Sequence, residues 1–314
     1  LDHIDAFLQQ DNTLLEFELP GVPLSWFDVL LPDHEITDGN LTAAFKITTD
    51  TNAAIHLIPV KPLTVTGLTV RQQDAALIEG LDLSVLPAVS YSDDVLSVSL
   101  DDLVVAAGKG TLASANFKAT VPLSEQQQGA ISTTARADLN MHRLVDFVGI
   151  EHTGKQTMPE HFSLNYHAVL QQAPGVITVN TLDASLSREQ QSKLLQLQLL
   201  QPLVIETMEA GTQFGKTAGK LATLTLSNIQ LEWFTAFVPD TWLSGRLQRT
   251  DFTFSTDAQG IAIITSARPV AITGIYMSDN EGPQLTNLGV RLRPDVRLGQ
   301  DGTQIIYKDL RVTG

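Results

Sequence analysis

The chain has 314 residues, with 35 Asp and Glu against 20 Lys and Arg, a net charge of −15 and a pI near 4.7. That field repels nucleic-acid backbones, and no run of Lys or Arg interrupts it, which argues against nucleic acid and against electrostatic docking on a membrane. Cysteine is absent, which removes disulfides, thiolate metal sites and thiol catalysis; at 43% hydrophobic and 6% aromatic, the apolar load falls on Leu, Val, Ile and Ala.

The chain opens on Leu1 without a basic and apolar leader, as a fragment or a mature form does. Asp2 to Gln10 is expected to form a short helix. Ser25 is placed to cap a second, Trp26 to Leu31, with Asp28 at its third position and Pro32 as its stop. Beyond it, period-two alternation takes over in Leu41 to Ile47, Leu81 to Val85, Leu96 to Leu100, Phe162 to Tyr166 and Leu195 to Leu199. Such alternation marks strands with one buried face. Turn signals separate them at Asp38-Gly39-Asn40, Ser92-Asp93-Asp94, Gly260, Asp279 to Gly282 and Asp301-Gly302, which predicts an antiparallel meander. Ser187 to Lys193 reads as a short helix or a long polar loop. Leu194 to Ile205 is the most apolar stretch, but Gln196, Gln198, Gln201 and Pro202 break it, and it is too short to span a bilayer.

The strongest signal is internal. A shift of 207 positions lays residues 24–105 on residues 231–312. Leu24, Trp26, Phe27, Pro32 and Asp33 meet Leu231, Trp233, Phe234, Pro239 and Asp240. After a small compensated length change, Phe45, Pro62, Gly67, Pro87 and Asp102 meet Phe252, Pro269, Gly274, Pro294 and Asp309. Matched strands alone do not keep Trp, Pro and Gly in one register. A worn copy lies between them: Leu139 to Val148 reads like Leu226 to Val238 without its Trp, and Phe162 to Val179, turning at Pro174-Gly175, corresponds to Phe252 to Val270. The expected division is a short helical segment 1–11, a β repeat 12–108, a degenerate middle repeat 109–220 and a second β repeat 221–314. Such units bury a continuous core only by stacking. The fold expected is all-β with a few short helices, an antiparallel sheet built from internal repeats.

Leu-x-Trp-Phe in a short helix ending at Pro-Asp, then Gly39-Asn40-Leu41 and Gly245-Arg246-Leu247 opening the next strand, resembles the AsmA-like superfamily of TamB- and YdbH-type envelope proteins. Leu288-Gly289-Val290 and Asp309-Leu310-Arg311-Val312 add to the likeness. The resemblance implies an elongated, curved antiparallel sheet folded into a half-pipe (β-taco), with an apolar inner face along which phospholipid acyl chains pass between membranes. It implies a periplasmic segment of a Gram-negative envelope protein that serves outer membrane biogenesis. Its membrane anchor or partner proteins lie outside the fragment, and it has no catalytic residue, no metal and no cofactor. The chain departs from the pattern in lacking the anchor and in its worn middle copy.

Acyl chains suit an open apolar strip physically, at about 0.8 kcal/mol per buried methylene with no single point of attachment. The residues expected to line it are Phe45, Ile47, Leu63, Val65, Leu83, Val98, Leu100, Phe162, Leu164, Leu197, Phe252, Phe254, Ile263, Ile272 and Val290. The competing reading packs the same residues into dry sandwiches of a structural or adhesive repeat module that binds a protein or a glycan. A hydrolase on a β scaffold is the third. Against it, there is no Gly-x-Ser-x-Gly elbow and no phosphate-binding glycine loop. His142, His152, His161 and His167 lack the spacing of a metal site, and Asp93-Asp94, Asp101-Asp102 and Asp279 to Glu281 lack the ligand order of a calcium loop. Trp26 and Trp233 are each expected to plug a short helix against the end of the sheet.

Overall fold

The computed structural model describes residues 12–30, 34–72, 75–108, 110–123, 130–148, 159–173, 175–188, 192–208, 211–215, 219–237, 241–257, 261–279, 282–299 and 302–314. The helix expected over Asp2 to Gln10, the helix-ending Pro32 and Pro239, His152 and Gly260 lie outside them. The chain forms two compact units, Leu1–Arg143 and Leu144–Gly314. Their boundary falls inside the segment 109–220.

In the first unit the order is β1 (Asn12–Pro23), α1 (Leu24–Leu30), β2 (Glu35–Thr49), β3 (Ile55–Gln72), β4 (Ala75–Ser92), β5 (Val95–Ala107), β6 (Gly110–Pro122), β7 (Ala130–Asn140) and the start of α2 (Met141–Phe147). Each strand pairs antiparallel with the next, and β1 does not pair with β7, so the sheet is an open meander and not a barrel. Asp93 and Asp94, at φ 47° and 59°, turn β4 tightly into β5, the paired left-handed geometry that matches strand twist. Asp50 closes the β2–β3 turn by accepting the amide N–H groups of Asn52 and Ala54 at 2.8 and 3.0 Å. The Asn140 side chain caps α2 by accepting the N–H of Arg143 at 3.0 Å.

The second unit continues with β8 (His161–Ala173), β9 (Val176–Arg188), β10 (Ser192–Leu199), β11 (Leu203–Met208), β12 (Gly211–Phe214), β13 (Gly219–Leu226), β14 (Ile229–Gln230) and α3 (Leu231–Phe237). It ends with β15 (Trp242–Leu247), β16 (Thr250–Thr256), β17 (Ala262–Ser266), β18 (Val270–Asp279), β19 (Gly282–Gly299) and β20 (Gly302–Thr313). All pairings are again antiparallel. From β9 the sheet runs through β10, β13, β16, β17 and β19 to β20, with β15 and β18 extending it beside β19.

The two matched segments share pairings, turn bonds and backbone kinks, although β2 and β3 are continuous where the second copy divides into β15 with β16 and β17 with β18. Phe17 faces Phe45 in β1 and β2, and Leu224 faces Phe252 in β13 and β16. Asp257 accepts the N–H of Ile261 at 3.0 Å, as Asp50 does from Ala54. Where Asp28 accepts the N–H of Ile36 at 2.8 Å, Thr235 accepts that of Leu243 at 3.2 Å, so a different side chain makes the same tie between helix and strand. Left-handed backbone recurs at Gly21 and Asn228, Gly39 and Gly245, Gly67 and Gly274, Gly80 and Asn287, and Asp102 and Asp309.

Four local expectations need correction. Asp38-Gly39-Asn40 is not a turn; it lies within β2, where pairing to β3 shifts on either side of Asp38. The helix α1 is a 3₁₀ helix, as is α3, and starts at Leu24, with Asp28 spent on Ile36 and not on a capping box. Ser187 and Arg188 end β9 while Ser192 and Lys193 begin β10 and pair with them across the hairpin, so the described ends of the segment are strand; residues 189–191 lie outside the described ones. Trp26 is 71% exposed and plugs nothing, while its counterpart Trp233 is buried against Phe162, ring centroids 5.8 Å apart and edge on.

Candidate functional site

Cross-strand pairing puts side chains on a common face, so the register decides which residues share one. In the first unit one row runs Leu15, Ile47, Leu57, Val89, Val98 and Ala119 across β1 to β6. A second holds Pro87, Leu100, Phe117 and Ala135, and a third Leu41, Val65, Leu83, Val105, Ala113 and Leu139. Phe45 lies two residues from Ile47 and stacks at a tilt on Phe17, centroids 5.4 Å apart; Leu63 lies two residues from Val65. The seven residues expected in this unit therefore share one apolar face. The intervening rows are polar: Thr48, His56, Ser90, Ser97 and Thr120 share one, and Thr42, Thr64 and Ser84 another, with the Thr42 and Thr64 hydroxyls hydrogen-bonded to each other.

In the second unit Leu199, Ala222, Phe254, Ile264, Val296 and Ile305 form one apolar row. Tyr166, Ala184, Leu197, Leu224 and Phe252 form another, and Leu247, Ile272, Val290 and Val312 a third. Phe162 and Leu164 stand on the same side of β8 as Tyr166. Ile263 does not join them. It pairs with Ser255 and Arg297 on the opposite face, and its neighbour Ile264 takes the expected place.

Burial separates this face from a packed core. Of the expected residues only Phe45 and Phe162 are buried; Leu164 is exposed and the others are half-buried. A shallow, open cleft of about 330 Å³ lies in the first unit over Leu57, Val89, Val98 and Ala119, with the polar neighbours His56, Ser90, Ser97, Ser99, Lys118 and Thr120 also lining it. That volume reaches the lower range of small-ligand sites.

Three of the described groups have shifted pKa values. The N–H of Ala54, then that of Asn52 and the ring of His56, hold the Asp50 carboxyl below its ordinary value. Lys308, whose Nζ donates to Asp295 at 2.8 Å, does the same for the buried Asp295 carboxyl, with Arg297 adding at 3.7 Å. A carboxyl depressed in the folded state stabilises fully above its unfolded value near 3.8, and that stabilisation is lost as pH falls through the depressed value. Replacing Asp295 by Asn should therefore flatten the decline of the urea midpoint as pH falls from about 3.8 through the depressed value; an unaltered slope refutes the pairing. Tyr91 donates its hydroxyl to Asp94 at 2.8 Å, which raises the phenol's pKa.

Sequence reading missed one gathering of charge. Arg291, Arg293 and Arg297 stand on one side of β19, and pairing sets Arg311 opposite Arg291 and Lys308 opposite Arg293. The signal was period-two spacing, which a search for basic runs passes over. Among the described residues no three acidic or imidazole groups gather in metal-binding geometry. Compared with known proteins, the chain matches no family model, no curated protein and no solved structure.

Proposed function

We propose that the apolar face holds phospholipid acyl chains and that the chain is a lipid-conducting segment of an envelope protein working between two membranes, in the periplasm, as its likeness to the AsmA-like group implies. The observation that carries this reading is the apolar field of the first unit. Its strands all lie in one open sheet, so among the described residues no separate sheet covers rows such as Ile47, Leu57, Val89 and Val98, and these are only half-buried. A dry sandwich buries such rows completely, since apolar surface left in water costs about 25 cal/mol per Å². Acyl chains cover the same surface without directional bonds, which lets them slide.

The test is mass spectrometry of an organic extract of the purified chain, which should contain phospholipid. Phe254→Glu, in the centre of the apolar row of the second unit, should leave the chain folded but reduce the lipid recovered, because a carboxylate in a wet groove keeps its hydration whereas one in a dry core does not. A lipid-free extract from folded protein, or global unfolding by Phe254→Glu, refutes the reading.

A further inference from the structure

We infer that the charged face of β19 and β20 seats the chain on the phosphate plane of an anionic phospholipid bilayer. Arg291, Arg293, Arg297, Lys308 and Arg311 share that face with two carboxylates among the described residues of these strands, Asp295 and Asp309. Five of the chain's 20 cations thus lie within 21 residues of a protein whose net charge is −15. Asp295 and Asp309 offset the inner members, Lys308 at 2.8 Å, Arg297 at 3.7 Å and Arg293 at 3.9 Å. Arg291 and Arg311 are exposed, face each other directly and have no ion pair among the described residues. Like charges set opposite one another destabilise a sheet, so an external anion offsets what the fold leaves uncompensated.

The duplication supplies a control within the molecule. The positions 207 earlier hold Ser84, Leu86, Ser90, Asp101 and Val104 on the same strand pair. The architecture therefore does not require the charge. Guarding a sheet edge against aggregation does not account for it either, since Lys and Arg for that purpose belong on the edge strand, and three of these five stand on β19, which is paired on both sides. The cations are spread over two strands and mostly exposed, which suits an extended anionic surface and not one enclosed ion. The overall negative charge does not prevent contact, because at physiological ionic strength charges more than about 8 Å away are largely screened.

This inference uses the face opposite the apolar one and stands independently of the lipid-conducting reading. The experiment is flotation of the full chain with phosphatidylcholine vesicles prepared with and without phosphatidylglycerol. Binding should appear only with phosphatidylglycerol and weaken as salt rises. Arg291→Gln with Arg311→Gln removes two exposed cations that have no ion pair, and should leave the thermal midpoint intact while weakening binding on the order of twentyfold. Arg71→Gln with Arg136→Gln, in the first unit, should change little. Equal flotation with both vesicles, or binding indifferent to the first pair of substitutions, overturns the proposal. So does displacement by inorganic phosphate beyond that by chloride at equal ionic strength, which marks an enclosed anion site. A chain that yields no co-purified lipid yet floats with anionic vesicles refutes the conduit and keeps this inference.

Discussion

Trp233→Ala should lower the stability of the chain by about 3–5 kcal/mol, the range for removing a buried aromatic, while Trp26→Ala should change it by less than about 0.5 kcal/mol, as exposed substitutions do. The two residues occupy the same place in the duplicated segment, so the contrast isolates the partner. Trp233 is 6% exposed and meets the edge of Phe162 on β8; Trp26 is 71% exposed. Phe162→Ala should accordingly reproduce part of the Trp233 loss and leave the effect of Trp26→Ala unaltered. Urea midpoints of the parent, the three single variants and the Trp26→Ala, Phe162→Ala double variant, followed by circular dichroism, decide the matter, and equal losses at both tryptophans would falsify it.

The second large effect is expected at the glycines under the short helices. Gly39 and Gly245 sit at φ 128° and 138°, a region open essentially to glycine alone. A Cβ on Gly39 stands 2.8 Å from Leu24 Cδ1 and 3.1 Å from Leu68 Cα; on Gly245 it stands 3.1 Å from Leu231 Cδ1 and 3.3 Å from Ile275 Cα. The same leucine of the same helix covers the glycine in both copies. Backbone strain of about 1–3 kcal/mol and overpacking of similar size combine, so Gly39→Ala and Gly245→Ala should each cost about 2–5 kcal/mol. Gly274→Asn is the comparison. Its φ of 64° suits Asn, nothing lies within 4 Å of its Cβ, and Asn287 already stands where Gly80 does in the other copy. Its thermal midpoint should stay near that of the parent, and a loss as large as at Gly39 would show that space and backbone are not the cause.

What the sequence revealed depended on how local the signal was. Alternation in Leu81 to Val85 or Leu96 to Leu100 is written in side chains that share a strand, and the antiparallel all-β character follows from it; that the sheet stays open does not, because a closed sandwich alternates in the same way. The duplication was equally legible, because Trp, Pro and Gly do not recur in register by chance. Ile263 was not legible: Ile263 and Ile264 are adjacent and equally apolar, so only pairing with Val296 and Arg297 decides which one turns to the apolar side. Asp38-Gly39-Asn40 has turn composition but sits inside a strand, since Gly39 supplies a left-handed kink for Leu24 to cover. The fate of the two tryptophans turns on Phe162, more than 70 residues from Trp233 in the chain, and nothing around either tryptophan announces it.

The recurring left-handed residues act as punctuation. Along a strand, each side chain's face follows from counting in twos, so losing one residue from a regular stretch such as Leu96 to Leu100 inverts every neighbour until something restores the count. A bulge such as that at Asp102 or Asp309 is where a supernumerary residue is already absorbed. Length changes are tolerated there and forbidden between. The single-residue difference in spacing that separates Gly39 and Gly245 from the other matched pairs falls beside such a kink. A sheet marked at the same places in each copy can be copied and lengthened by duplication without losing track of its inner and outer sides.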